Sequence, residues 1–194
     1  IQPENLPTVF GDDQFKNRRV NETDPYALYA AINVNKVNCL PVRQALLVAL
    51  DREAVRQTAG GEFAGDFADG FISPTIAADY APNKVLDGVQ PTGNPDAAKA
   101  LLEQAKTACP DVYAKATGEG LVYDHPDTPT WAKNAAVWIE SMKKAGIVLK
   151  SNPIEPGKYY SVVMDEALQG DISRSGWAAD WLNSSTVLPE LFGE

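Results

Sequence analysis

TWAKNAAVWIESMKKAGIVLKSNPI, residues 130–154, decides the fold class. Ala135, Trp138, Ile139 and Met142 recur at intervals of three and four, so they share one face of a helix over 131–145 with Thr130 as its cap. Gly146 closes that helix, and 147–154 returns as a strand. Downstream, Pro156-Gly157 opens a further helix through Tyr160, Val163 and Leu168 to Gly170. A strand follows over 172–177, then a short helix after Ser184-Ser185.

Working upstream, Leu121-Val122-Tyr123 reads as a short strand. Asn94-Pro95-Asp96 is a helix N-cap with proline in the first turn, and Ala97, Ala98, Leu101, Leu102 and Ala105 form the buried stripe behind it. Pro41 starts another helix over 42–58, with Val42, Ala45, Leu46, Ala49 and Leu50 on its apolar face and Gly60-Gly61 as its stop. Residues 26–34 read as a strand buried on both faces. Residues 60–93, rich in Gly, Pro and Asp, are too long for a simple connector and should lie over the surface as an ordered loop. Residues 1–25 are polar and turn-rich. The order β, α, loop, α, β, α, β, α, β implies an α/β fold with a mixed, mainly parallel sheet flanked by helices.

A chain of 194 residues suits one domain or one large lobe, and it can bury roughly 70 % of its unfolded surface. With 26 acidic and 17 basic side chains the formal charge is −9. The densest basic group is Lys16, Arg18 and Arg19, which is no footprint for a nucleic acid. No run of 18 apolar residues is present to span a membrane, and no signal peptide is recognisable. A chain starting at Ile1 reads as a processed form or a fragment. Cys39 and Cys109 are either two buried thiols or one disulfide, since pairing cannot be read from sequence. They are not spaced for a metal.

The usual catalytic signatures are missing. Gly60, Gly61 and Gly65 follow a helix, so they do not form a dinucleotide fingerprint, and there is no P-loop and no Gly-x-Ser-x-Gly elbow. His125, in Asp124-His-Pro-Asp127, is expected in a surface turn. The carboxylates of Asp165, Glu166 and Asp171, near helix ends, are expected to be solvated. No enzyme activity and no cofactor is expected.

Three stretches carry a family resemblance. The first joins Tyr29-Ala-Ala-Ile-Asn33, Pro41-Val-Arg-Gln-Ala-Leu46 and Ala49-Leu-Asp-Arg-Glu53. The second is 96–105. The third runs from Ala145-Gly146-Ile147 through Pro153-Ile154-Glu155 to Gly170-Asp171-Ile172 and Gly176-Trp-Ala-Ala-Asp-Trp181. In order and spacing these resemble the family 5 extracellular solute-binding proteins of ABC importers, the oligopeptide- and dipeptide-binding proteins. The resemblance covers about residues 26–192. It implies that residues 1–194 are one α/β lobe of a two-lobed, periplasmic-binding-protein-like fold, with the first lobe and the hinge strands outside this stretch. Arg43, Asp51 and Arg52 then serve the lobe's own salt links and caps. In an exported protein the two cysteines would meet an oxidising environment.

The resemblance also implies a site. Asp180, just past a strand end, matches the acid that pairs with the ligand's α-ammonium group, next to Trp177 and Ala178. Gly176 would let another backbone approach. Tyr160 falls where some members place an aromatic against ligand side chains, and Arg174 where some hold a basic partner for the ligand carboxylate. Trp131 and Lys133 fall near a helix-start position that supplies a carboxylate partner, usually Arg. The chain departs from the pattern there, and again at Leu182-Asn183-Ser184, where Asp-Pro often follows the acid. Trp177 and Trp181 read equally well as core. The implied function is capture of small peptides outside the membrane or in the periplasm and delivery to ABC permease subunits, with no nucleic-acid partner and with any lipid anchor outside this stretch. A sugar, metal-chelate or siderophore ligand on the same scaffold is the alternative. An α/β hydrolase lacks its nucleophile and histidine here.

Overall fold

A computed structural model describes residues 1–83, 86 and 88–193. Its helices and strands run α1 (Leu6–Gly11), β1 (Tyr26–Ile32), α2 (Leu40–Ala49), α3 (Arg52–Thr58), α4 (Pro95–Ala108), α5 (Pro110–Ala114), β2 (Leu121–Pro126), α6 (Pro129–Lys144), β3 (Leu149–Ile154), α7 (Tyr159–Val163), β4 (Ile172–Ala178) and α8 (Leu188–Phe192), with short 3-10 turns between some of them. One four-stranded sheet has the order β1-β4-β2-β3. β2 pairs in parallel with β3 from Leu121↔Leu149 to Pro126↔Ile154, and with β4 at Tyr123↔Ile172 and Asp124↔Ser173. The fold is the α/β class expected.

Chain contacts divide the described residues into two compact units. Unit 2, residues 30–58 and 89–174, holds the apolar core. Its α6 stands over β2 and β3, where Trp138 stacks on Tyr123 with ring centroids 5.0 Å apart. Val42, Ala45, Leu46 and Ala49 of α2 face Ala98, Leu102 and Ala105 of α4 in that core. Asn94 caps α4 by accepting from the Ala97 amide, as its sequence predicts. Cys39, at the start of α2, is disulfide-bonded to Cys109, at the end of α4, with Cα atoms 6.0 Å apart. Of the two states open to these cysteines, the pair is the bonded one.

Unit 1, residues 1–29, 59–88 and 175–194, is built differently. All six phenylalanines of the chain fall in its segments. Phe10 stacks on Phe63, and Tyr29, Phe71 and Phe192 form an edge-on series. Gly176 lies under the Tyr26 ring; a Cβ there would come 2.0 Å from the phenol oxygen. The close approach foreseen at Gly176 is therefore by a side chain, not by another backbone. The formal charge is also divided unevenly. Unit 1 carries 13 acidic and 4 basic residues, whereas unit 2 carries 13 of each.

Several boundaries differ from the sequence reading. The helix expected over 42–58 is two, because Leu50 is extended (φ −68°, ψ 123°) and the Asp51 carboxylate caps α3 at the Ala54 amide. Helix α6 is capped by Thr128, not Thr130: the Thr128 hydroxyl accepts from the Trp131 amide, and Pro129 takes the first helical position. Gly146 ends it at φ 83°, as expected. The helix foreseen from Pro156 to Gly170 shrinks to α7, because the Asp165 carboxylate takes the Ala167 amide and sets a turn. β1 is not buried on both faces. It lies at the sheet's edge with Tyr26 and Leu28 exposed, and it stops at Ile32 because the Asn33 carboxamide accepts the amides of Asn35 and Lys36. The 60–93 stretch is a run of turns with one 3-10 turn, Gly61–Phe63; residues 84, 85 and 87 lie outside the described set.

Candidate ligand-binding site

Of the residues singled out by the sequence, β4 carries Arg174, Gly176, Trp177 and Ala178, and it contributes to both units. In unit 1 its end is fixed by Thr186, which is 1 % exposed. The Trp177 indole N–H donates to the Thr186 carbonyl at 2.8 Å, and the Asp180 amide donates to the Thr186 hydroxyl at 3.0 Å. That hydroxyl donates in turn to Asp180 Oδ2 at 3.4 Å. The loop is braced by Asn183, whose side chain accepts from the Ser185 amide, and by Asp79, which accepts from the Ser184 amide. Asp180 and Ala178 are exposed, and Trp177 is half-buried. Trp181 stands 56 % exposed, so it is not core, and its indole N–H donates to the Ser185 hydroxyl. A carboxylate held at one oxygen and open to solvent can meet a cation. Such a pair contributes little until water is removed around it.

In unit 2, Arg174 and Trp131 come together: the guanidinium carbon lies 4.0 Å from the Trp131 ring centroid. This is cation–π geometry, and the planar guanidinium over an indole face is pre-organised to receive a carboxylate. Tyr160 is 53 % exposed and meets Tyr159 edge-on. Lys133 is exposed on α6. Arg43 donates to the Val37 carbonyl and Arg52 to the Val89 carbonyl, so both brace backbone of unit 2 through its carbonyls, where the sequence reading expected salt links.

The sequence reading missed a group of buried polar residues in unit 2. His125 is buried, not in a surface turn: Nδ1 faces the Pro126 carbonyl at 2.9 Å and Nε2 the Ser151 hydroxyl at 2.7 Å. A carbonyl only accepts, so Nδ1 carries the proton in that bond. Asp124 is fully buried and accepts from Asn152 Nδ2, the Gly170 amide and the Ser173 hydroxyl. Asp171, expected to be solvated, is buried; it pairs with Lys115 at 2.6 Å and accepts from the Val122 amide. Tyr159, also buried, has its phenol pushed well above the ordinary range by burial, against the opposing pull of Arg174. Alternation along β2 puts Asp124 on the face opposite Leu121 and Tyr123 and so gives no sign of its burial, and its partners come from β3, β4 and the turn before β4, far apart in sequence.

The family model described as bacterial extracellular solute-binding proteins, family 5, middle region, matches residues 1–194. No curated protein matches. Among solved structures, the ABC transporter substrate-binding protein CtaP of Listeria monocytogenes superposes with a TM-score of 0.74 at 22% identity, over 99% of this chain and 37% of that one. The murein tripeptide-binding protein MppA of Escherichia coli gives 0.73 at 18% identity, over 98% and 36%. DppA of Helicobacter pylori, in complex with the peptide STSA, gives 0.65 at 18% identity, over 96% and 33%. The chain thus spans about a third of the length of these proteins. At such identities the likeness establishes the fold, a domain of the periplasmic-binding-protein type. The match of the family model over the whole chain establishes the lineage: the chain belongs to the family 5 bacterial extracellular solute-binding proteins.

Proposed function

We propose that this chain is one lobe of an exported receptor that captures small peptides outside the cytoplasm and hands them to the permease of an ABC importer, without chemistry of its own. The observation that carries the reading is Asp180. It sits two residues beyond β4, its carboxylate is exposed, and Thr186 orients it. A fixed carboxylate there suits an ammonium group once a second wall excludes water, when a charge-assisted hydrogen bond gains strength. Trp177 and Ala178 precede it in the same segment of unit 1, and within unit 2 Arg174, Trp131 and Tyr160 are the residues the reading assigns to the ligand's carboxylate and side chains. Two of the structural relatives support the peptide class: one is a murein tripeptide-binding protein and another holds the peptide STSA.

The test is to incubate the full-length natural protein with a mixed peptide pool and analyse what co-purifies by mass spectrometry. Peptides with free amino termini are expected. Recovery of a sugar or a metal chelate instead would move the reading to the non-peptide alternative, and turnover of esterase or phosphatase substrates would end the claim that it is a receptor only.

A further inference from the structure

We infer that Tyr159 is a positioning residue for Arg174, and that its buried hydroxyl sets how strongly the protein prefers a free C-terminal carboxylate over a neutral one. The inference rests on the peptide reading above. Its starting point is the place where β2 and β4 stop pairing. Their parallel register ends at Asp124↔Ser173. One residue further along β4, the Tyr159 hydroxyl bridges the two strands, its single proton shared between the Arg174 carbonyl at 2.5 Å and the Asp124 carbonyl at 3.2 Å.

Arg174 is thereby held at two points. Its backbone is fixed by Tyr159, and its guanidinium rests 4.0 Å from the centroid of the Trp131 ring. A long, flexible side chain loses rotamer entropy when it grips a ligand, and holding it beforehand lowers that cost. Tyr159 itself has little freedom. It is 1 % exposed, and because burial holds its phenol protonated, the donor persists through neutral and mildly alkaline pH. Asp124, which supplies the second carbonyl, is itself locked by three donors. The support under Arg174 thus passes into the sheet and not into a surface loop.

The experiment measures, by calorimetry on the full-length natural protein, the ratio of dissociation constants for one peptide with a C-terminal amide and with a free carboxylate. Wild type should favour the acid. Tyr159→Phe keeps the buried ring and removes only the hydroxyl, and should cut that preference roughly three- to tenfold while leaving the amidated peptide's affinity unchanged, the range expected for one lost hydrogen bond. Trp131→Leu, which leaves Tyr159 intact, should cut it too, so the premise that Arg174 must be held beforehand stays testable if Tyr159→Phe folds poorly. A purely structural Tyr159 would weaken acid and amide alike or neither, and an unchanged ratio in Tyr159→Phe would overturn the inference. Arg174→Gln separates the two layers. If it abolishes the preference while Tyr159→Phe does not, only the positioning role falls. If wild type itself does not distinguish acid from amide, the carboxylate-facing role of Arg174 falls with it.

Discussion

One hydroxyl holds Asp180 at both ends: Thr186 Oγ1 accepts from the Asp180 amide at 3.0 Å and donates to its carboxylate at 3.4 Å. The carboxylate is therefore aimed by a residue six positions later in the chain. Thr186→Val preserves the buried volume and deletes both bonds. Affinity for a free-amine peptide should drop by about 1 kcal/mol, the worth of a typical hydrogen bond, with a smaller change for the N-acetylated peptide. Equal losses for the two peptides by calorimetry would mean that Thr186 supports the loop generally and does not aim Asp180.

The Cys39–Cys109 bond closes a span of 70 residues between the start of α2 and the end of α4. In the chain-entropy picture a crosslink of this span stabilises by about 4 kcal/mol, chiefly by restricting the unfolded chain. The double substitution to Ser should lower the urea midpoint accordingly. It should leave the helical circular dichroism intact, because α2 and α4 still bury Val42, Ala45, Leu46, Ala98, Leu102 and Ala105 against each other.

Burial raises the ionisation of Tyr123 and of Tyr159 above the ordinary value of 10.0. Between the ordinary value and the raised one the folded chain binds more protons than the unfolded chain, so by linkage stability is full below about pH 10 and declines above it. Urea titrations at pH 8, 9 and 11 should give nearly matching midpoints at the first two and a lower one at the third. Tyrosinate absorbance at pH 11 should rise further as the protein unfolds. Complete ionisation of all seven tyrosines before unfolding would contradict the buried state of these two.

What the sequence disclosed and what it withheld differ in range. The helix–glycine–strand unit around Gly146, the Asn94 cap and the edges of β4 depend on neighbours a few residues apart, and all were legible. So were the position of Asp180 just past the end of β4 and that of Trp131 in the first turn of α6. The split between α2 and α3 was not, because it turns on whether the Asp51 carboxylate caps a new helix or stays in solvent. The buried setting of His125 and Asp171 escaped for a stronger reason. The burial cost of each is offset by partners 26 and 56 residues away, Ser151 and Lys115, and no periodicity announces such pairs. Tyr160 drew attention over Tyr159, although the neighbour is the one turned inward.

The uneven charge predicts a kinetic effect. With 13 acidic and 4 basic residues on the segments that also carry Asp180, unit 1 should attract cations over a Debye length, roughly 8 Å at physiological salt. Association of a peptide with two extra lysines should slow as salt rises from 20 to 300 mM, on the order of severalfold, while its dissociation rate holds. Stopped-flow traces with a charge-neutral peptide of equal length serve as the reference. A parallel salt response for both peptides would show that the charges of unit 1 do not steer the ligand.

Asp180→Asn isolates the proposed clamp itself. The carboxamide keeps the shape and can still accept from the Thr186 hydroxyl, so packing survives and the melting temperature of the unliganded protein should hardly move. What disappears is the negative charge. In the full-length protein, where a second lobe would exclude water, breaking such a buried pair should weaken binding of a free-amine peptide by about 2–5 kcal/mol. The N-acetylated twin, which brings no ammonium, should bind wild type and variant alike. The 194-residue chain alone should bind the free-amine peptide far more weakly than the full-length protein, because Asp180 is exposed here and an ion pair in water is worth less than about 1 kcal/mol. Calorimetry on the four protein–peptide combinations decides the matter. If wild type binds the free and acetylated peptides equally, or if the Asn variant holds the free amine as tightly as wild type, the ammonium contact lies elsewhere and Asp180 is only a surface residue tethered to Thr186.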